Sequence, residues 1–365
     1  QHDGTEIDEA YPFLVHGSAV IDRVIRTGLG SAIGFALART MVQHRRREHE
    51  RMRFYMRYAD RGDADAVFAP PLRDLHVTER AIAPRGNIPR TRLSFESPFV
   101  PLHPELVTSY TRFRRNAHAE AEHWTHADGP RPTIMALHGF LAHPYWFNAR
   151  MFYLDWFWKA GYDILLVKMP FHGPRKGRLD PFSGYGWFAH GIGHLNEAML
   201  HAVHDARAWI DWLERYGAPS VGLTGYSLGG YISSLTAVAD ERPAFVIPNS
   251  PVVTPIDMAR DWQPTRTLIA AGLSLKMFDP RDLRHATALH SPITYQPKID
   301  PSRVLVIGGA GDRLTAPRFV RLLHQHWPGS RLTWFPGNHL LHFGQREYLK
   351  LMRRHIERCT GSVIA

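Results

Sequence analysis

Residues 220–239 read SVGLTGYSLGGYISSLTAVA, a short apolar run that stops at a glycine-flanked serine and resumes as a helical pattern. Val221–Thr224 has the length and character of a strand buried on both faces, and from Leu228 onward the apolar positions recur at helical spacing. The turn between them, Gly225-Tyr226-Ser227-Leu228-Gly229, has the form G-x-S-x-G and is followed by Gly230. Five residues with two fixed glycines carry little by themselves. Set between a strand and a helix, they describe a tight bend that holds a serine in a strained backbone conformation, where flanking residues must be small. Such a bend lifts the Ser227 hydroxyl above the sheet at the start of the next helix, whose dipole favours developing negative charge. This stretch predicts a parallel α/β sheet with Ser227 as a nucleophile.

A serine hydroxyl attacks poorly unless a base takes its proton, and a carboxylate is needed to fix the tautomer of that base. The chain has 23 histidines, so position has to choose among them. After the apolar run RVLVIGG at 303–309 come Ala310-Gly311-Asp312-Arg313-Leu314-Thr315, and after the run RLTWFP at 331–336 come Gly337-Asn338-His339. Acid and base each follow their own strand, in the order Ser, Asp, His. Asp312 is therefore assigned as the acid and His339 as the general base. His342 is the rival base, Asp257, Asp279 and Asp282 are substitute acids, and Asp312 could instead cap a turn.

Further strands are expected at Thr133–His138, Asp163–Lys168, Phe245–Pro248, Val304–Gly308 and Leu332–Phe335, with a first strand or hairpin in TRLSFESPFVP from Thr91. Helical patterns lie near 146–160, 194–216, 228–239, 316–327 and 341–358. This alternation implies helices on both faces of a mostly parallel sheet. Residues 1–90 read as a helical N-terminal extension, and 91–365 as the catalytic domain. Between the strands ending near Pro248 and beginning near Val304 the chain is longer than a crossover needs, so residues 251–300 read as a helical insertion that could cap the site.

HGF at 138–140, GYSLGG at 225–230, GAGDRLT at 309–315 and PGNH at 336–339 together resemble the α/β-hydrolase superfamily over roughly 91–358. The stretch WPGSRLTWFPGNHLLHFG at 327–344 is also similar to a poorly characterised abhydrolase-domain-containing branch. The superfamily resemblance implies an eight-stranded, mostly parallel sheet and ester, thioester or amide hydrolysis with no metal and no organic cofactor. It further implies an oxyanion hole built from the amides of Phe140 and Leu228, with His138 in a structural role. Where many relatives have an acidic residue and a Gly-rich turn, this chain reads Met169-Pro170-Phe171-His172-Gly173-Pro174-Arg175; His172 is left between lining the site and a structural role. Aromatic residues crowd the segment after the oxyanion turn, and Tyr145 and Trp146, with Tyr226 beside the nucleophile, are candidate substrate-binding residues of an apolar pocket. Arg175, Lys176 and Arg178 could draw an anionic group to its rim.

The expected activity is cleavage of a carboxylic ester with an apolar or aromatic group, through an acyl-enzyme. Amidase or peptidase, thioesterase and acyltransferase chemistry would use the same triad, and a non-catalytic membrane-associated binding protein is the reading from another class. A net charge of +10 raises nucleic acid as a partner, but the arginines are scattered outside Arg45–Arg47 and Arg112–Arg115 and no binding signature accompanies them, so no nucleic-acid partner is expected. The single cysteine, Cys359, forbids an internal disulfide and a thiolate metal site. That favours a cytoplasmic location, although Gln1 leaves a removed signal peptide open. Gly28–Ala38 is shorter than the roughly 20 residues a membrane span requires. With Arg45–Arg47 after it, it could instead support peripheral membrane contact.

Overall fold

The computed structural model describes residues 10–71, 74–141, 144–275 and 277–361, so the first nine residues of the expected extension lie outside the described residues. Helices α1 (Pro12–Gln43) and α2 (Arg45–Arg61), with one further helical turn at Ala64–Val67, precede an antiparallel ribbon of β1 (Thr78–Arg85), β2 (Ile88–Glu96) and β3 (His118–Trp124). The alternating part follows: β4 (Thr133–Leu137), α3 (Tyr145–Met151), α4 (Leu154–Lys159), β5 (Asp163–Lys168), α5 (Ile192–Tyr216), β6 (Val221–Tyr226), α6 (Leu228–Ala239) and β7 (Val246–Asn249). Three helices come next, α7 (Pro255–Asp261), α8 (Thr265–Ser274) and α9 (Pro280–Ala288). The chain then closes through β8 (Leu305–Gly309), α10 (Pro317–His326), β9 (Arg331–Phe335) and α11 (Gln345–Thr360).

All nine strands form one sheet in the order β1-β2-β3-β5-β4-β6-β7-β8-β9. Pairing is antiparallel from β1 to β5 and parallel from there to β9. The expected eight strands are thus exceeded by one. Strand β1 is exposed along almost its whole length, and such an edge, with sequence TERAIAPR, has no buried face to write an alternation into. The expected boundary at residue 90 falls inside β2. Strands β4 to β8 are buried at every position, as short apolar strands covered on both faces should be. One face of the sheet packs on α5, α6 and α10 through Val203, Leu235 and Val320; the other packs on α4 and α11 through Phe157 and Met352.

Helix α1 is part of this body. Its buried positions, Val15, Ser18, Ala19, Asp22, Gly30 and Gly34, follow a helical stripe, while Phe13, Val20, Val24 and Phe35 face outward. Gly30 and Gly34 are where it crosses α8: Thr265 Oγ1 donates to Gly30 O at 3.2 Å, and a Cβ on Gly34 would sit 2.6 Å from Leu268 Cδ1. Residues 251–300 form a segment that carries the three helices α7, α8 and α9. It buttresses α1, and α1 covers the site.

Candidate active site

The sheet brings the ends of β4, β6, β8 and β9 to one edge, and each carries a residue singled out above. Ser227 has φ 56° and ψ −112°, between β6 and α6. A positive φ on a non-glycine residue costs about 1–3 kcal/mol and persists only where the surroundings impose it. Here they do: Ser227 N–H donates to Asn249 O at 2.9 Å, while its carbonyl accepts from Tyr231 N at 3.0 Å and Val252 N at 3.2 Å. A Cβ on Gly229 would lie 1.8 Å from Leu137 O, and one on Gly225 would lie 2.0 Å from Gly229 O, so both flanks of the bend admit glycine alone. The amides of Phe140 and Leu228 donate to no other group among the described residues.

On the neighbouring loops, His339 Nδ1 meets Asp312 Oδ2 at 2.7 Å. Asp312 is fully buried and well supplied with donors: Leu314 N at 2.9 Å, Thr315 N at 2.8 Å and Thr315 Oγ1 at 2.7 Å. Burial alone would push its carboxyl up, yet the His339 imidazole and these hydrogen bonds outweigh it and hold the pKa below the carboxylate range. His339 is the mirror case. Burial lowers its pKa, but the Asp312 charge and hydrogen bond, with the charge of Asp22, leave it raised. Engaging Nδ1 with a carboxylate fixes the tautomer and leaves Nε2 for a substrate-side proton. His342 has other partners: it contacts His339 O at 3.2 Å and Tyr348 Oη at 3.2 Å, and burial pushes its pKa down to about 4. Asp257 is paired with Arg284 and Asp279 caps α9.

Asp22 of α1 is a site residue that sequence reasoning missed. Its Oδ2 accepts both His339 N at 3.0 Å and Arg313 N at 2.9 Å, tying together the loops that carry His339 and Asp312. One helical turn on either side the clamp continues, with Asn338 Nδ2 donating to Ser18 O at 2.5 Å and Arg26 Nη1 donating to Arg313 O at 3.3 Å. Asp22 has no exposed surface, and its pKa is pushed up to about 6, first by burial and then by the Asp312 charge. An acidic residue in phase with the buried stripe of α1, four positions after Ser18, was the available signal.

Ser227 and His339 line one cavity of about 530 Å³, whose wall is mostly apolar. Of the four predicted substrate-binding residues, Tyr226 lines it, with its ring 4.9 Å from that of His339 and its hydroxyl donating to His339 O. Tyr145, Trp146 and His172 do not. Tyr145 points back to the sheet, where its hydroxyl donates to Glu120 Oε1 at 2.9 Å. Trp146 is 60% exposed. His172 is buried behind Phe140, ring to ring at 5.7 Å, with Nδ1 against Pro170 O at 2.8 Å. Phe147, Asn148, Met151 and Phe152 face the cavity instead. Residues 145 and 147 are about 200° apart around a helix, so choosing the aromatics closest to the oxyanion turn took the wrong face. Ile25 and Leu29 of α1, with Leu314 and Leu340, complete the wall; no residue of 251–300 does, among those described. Trp262 of the insertion acts at one remove, donating Nε1–H to Leu314 O at 3.2 Å. Arg175 is also away from any rim, buried against Asp205 at 2.8 Å. His138 accepts Met169 N at 3.2 Å, in a structural position.

Solved structures with this architecture include acetyl xylan esterase 1 from Thermoanaerobacterium sp. JW/SL YS485, at TM-score 0.56 and 16% identity over 84% of this chain and 93% of that one. An acetyl xylan esterase from Paenibacillus sp. R4 aligns with TM-score 0.56 and 15% identity, covering 83% of this chain and 94% of its own. At such identity the likeness is one of fold. Among curated sequences, uncharacterized proteins of Mycobacterium tuberculosis strains CDC 1551 / Oshkosh and H37Rv are 29% identical over 289 residues, 73% of this chain and 63% of theirs. The chain thus matches somewhat less than two thirds of the length of these relatives. The family described as alpha/beta hydrolase domain containing 18 matches residues 73–255, half of the chain, including the Ser227 bend and the 138–140 turn but ending before Asp312 and His339. On that match, set on a sheet of the expected architecture, the chain belongs to the alpha/beta hydrolase domain containing 18 family.

Proposed function

We propose that the protein is a serine hydrolase that cleaves a carboxylic ester bearing an apolar or aromatic group, through an acyl-enzyme. The observation that carries this reading is the Asp312–His339 pair at 2.7 Å in the wall of the cavity that Ser227 also lines. Ser227 Oγ attacks the ester carbonyl carbon while His339 Nε2 accepts its proton, and Asp312 stabilises the imidazolium that forms. The negative charge passes to the carbonyl oxygen, where the amides of Phe140 and Leu228 receive it. Each such donor is worth about 3–4 kcal/mol of barrier. Collapse of the tetrahedral adduct expels the alcohol, which takes the proton from His339; water, deprotonated by the same imidazole, then releases the acid and frees Ser227. The mostly apolar wall favours a hydrocarbon or aromatic substituent over a charged one.

A fluorophosphonate probe tests the nucleophile. The wild type should be labelled and Ser227→Ala should not; labelling that survives the substitution would remove Ser227 from the mechanism. A series of p-nitrophenyl esters of increasing acyl length, run beside matching anilides, tests the substrate class. Turnover of the anilides at rates equal to the esters would replace ester hydrolysis with amide hydrolysis.

A further inference from the structure

A second concavity of about 560 Å³ lies between the α1–α2 junction, the segment 109–113 and the loop leading into α5. Its charge is one-sided. Arg39, Arg47, Arg51 and Arg112 line it with His190 and His194, and no acidic side chain does. The catalytic cavity begins elsewhere on the same helix: Leu29, in its wall, is ten residues from Arg39, about 15 Å along α1.

Arg39, Arg47 and Arg112 are exposed and form no ion pair among the described residues. Glu48, behind the wall, is already committed, accepting Arg51 Nη1 at 2.5 Å and Ile192 N at 2.8 Å. One nitrogen of the wall, Arg51 Nε, is buried with no partner, while the His194 ring contacts Ser109 Oγ through Nε2 at 3.1 Å and is hydrogen-bonded to the His190 backbone. A buried donor without a partner is rare enough to demand a reason. Burial, with the charges of His190 and Arg51, holds His194 down to about 4, and burial lowers His190 as well. The cavity therefore sets positive guanidinium groups around neutral imidazoles. Guanidinium groups converging on a hollow match the oxygens of a phosphate, which accept paired N–H···O bonds.

We propose that this cavity binds a phosphate group carried on a small molecule or a lipid headgroup, with Arg39, Arg47 and Arg112 supplying the charge-assisted bonds and Arg51 and His194 the inner wall. The site is separate from the triad and does not depend on the esterase reading. Its volume exceeds what a lone phosphate fills, so the ligand carries further atoms.

Two arms of one experiment separate the sources. The full chain is titrated calorimetrically with inorganic phosphate, pyrophosphate and glycerol 3-phosphate, and co-sedimented with vesicles of phosphatidylglycerol in phosphatidylcholine, all in about 0.15 M salt. Saturable binding is expected in at least one arm. Arg47→Ala/Arg112→Ala should weaken it at least about tenfold, as loss of charge-assisted bonds requires, while Arg114→Ala/Arg115→Ala should leave it unchanged. Circular dichroism and probe labelling of Ser227 serve as checks that both variants fold. In the wild type, saturating ligand should raise the pKa of His190 or His194, read from imidazole C–H resonances, a readout that holds even if the alanine pair fails to fold. Absence of saturable binding in every arm, equal loss in the control pair, or unmoved imidazoles with bound ligand overturns the proposal.

Discussion

A methyl group on Gly229 would place its carbon 1.8 Å from a main-chain oxygen that no rotamer change can move. Gly229→Ala is therefore expected to destabilise the fold by about 1–3 kcal/mol or more, seen as a lower denaturant midpoint, and to remove Ser227 labelling with it. The two neighbouring histidines separate by function: His339→Ala should cost about four to six orders of magnitude in kcat, whereas His342→Ala, lacking contact with Asp312, should retain most of it. The pH profile follows from signs already given. The base works when neutral and its pKa is raised, so kcat/KM should climb with pH through a value above the ordinary imidazole pKa of about 6.5. Asp22 contributes to that elevation, so Asp22→Asn should move the rising limb to lower pH. The same carboxyl has a stability signature: between pH 3.8 and about 6 the folded chain keeps a proton on Asp22 that the unfolded chain releases. Its contribution to stability accordingly falls as pH rises through that window, and Asp22→Asn should lack this slope in unfolding curves. At this scale the sequence was legible where a singled-out residue follows a strand, as Ser227 follows β6, Asp312 β8 and His339 β9. It was uninformative where the choice turned on helix phase, as for Tyr145 against Phe147.

Among the elements, α1 departs furthest from its reading as an extension. Its Ile25 and Leu29 are wall residues of the cavity that Ser227 and His339 line. Replacing both by Ser should raise KM for long-chain esters by roughly tenfold per residue, the equivalent of about 1.5 kcal/mol of apolar contact each. Short-chain esters, which do not reach α1, should be little affected; an equal rise for acetate and octanoate esters would argue against this wall. No local pattern could have announced the role. That the segment is helical was legible in the sequence, but its close crossing with α8 at Gly30 and Gly34 was not, and what it covers depends on residues some three hundred positions later. The strands divide in a similar way. Those buried on both faces, β4 to β8, announce themselves by apolar runs, while β1 and β3 (HAEAEHW) mix charged and small residues and were passed over. The insertion was visible as excess length, and only packing against α1 fixed its part as buttress.

Taken whole, the molecule buries many imidazoles without charging them. Burial pushes His123, His194, His201 and His355 down to about 4 and His290 to about 3. Each takes up a proton only on unfolding, so stability is lost as pH falls from about 6.5 toward 4. On the order of 1–2 kcal/mol per imidazole is at stake between pH 7 and pH 5. Raised carboxyls such as Asp22 and Glu197 act in the opposite direction, so denaturant unfolding at pH 5 should show a lower midpoint than at pH 7.5 but not a complete loss; an unchanged midpoint would contradict this burial. Activity and stability thus call for the same neutral-to-alkaline range. Among the described residues no helix is long and apolar enough to cross a membrane. The bond from the His339 amide to Asp22 spans 317 positions of chain, which has a meaning for biosynthesis. A ribosome makes the clamp well before the imidazole it holds. A nascent chain therefore carries the Ser227 bend before His339 can be seated, and the proposed site is completed only once both segments, 317 positions apart, have emerged and met.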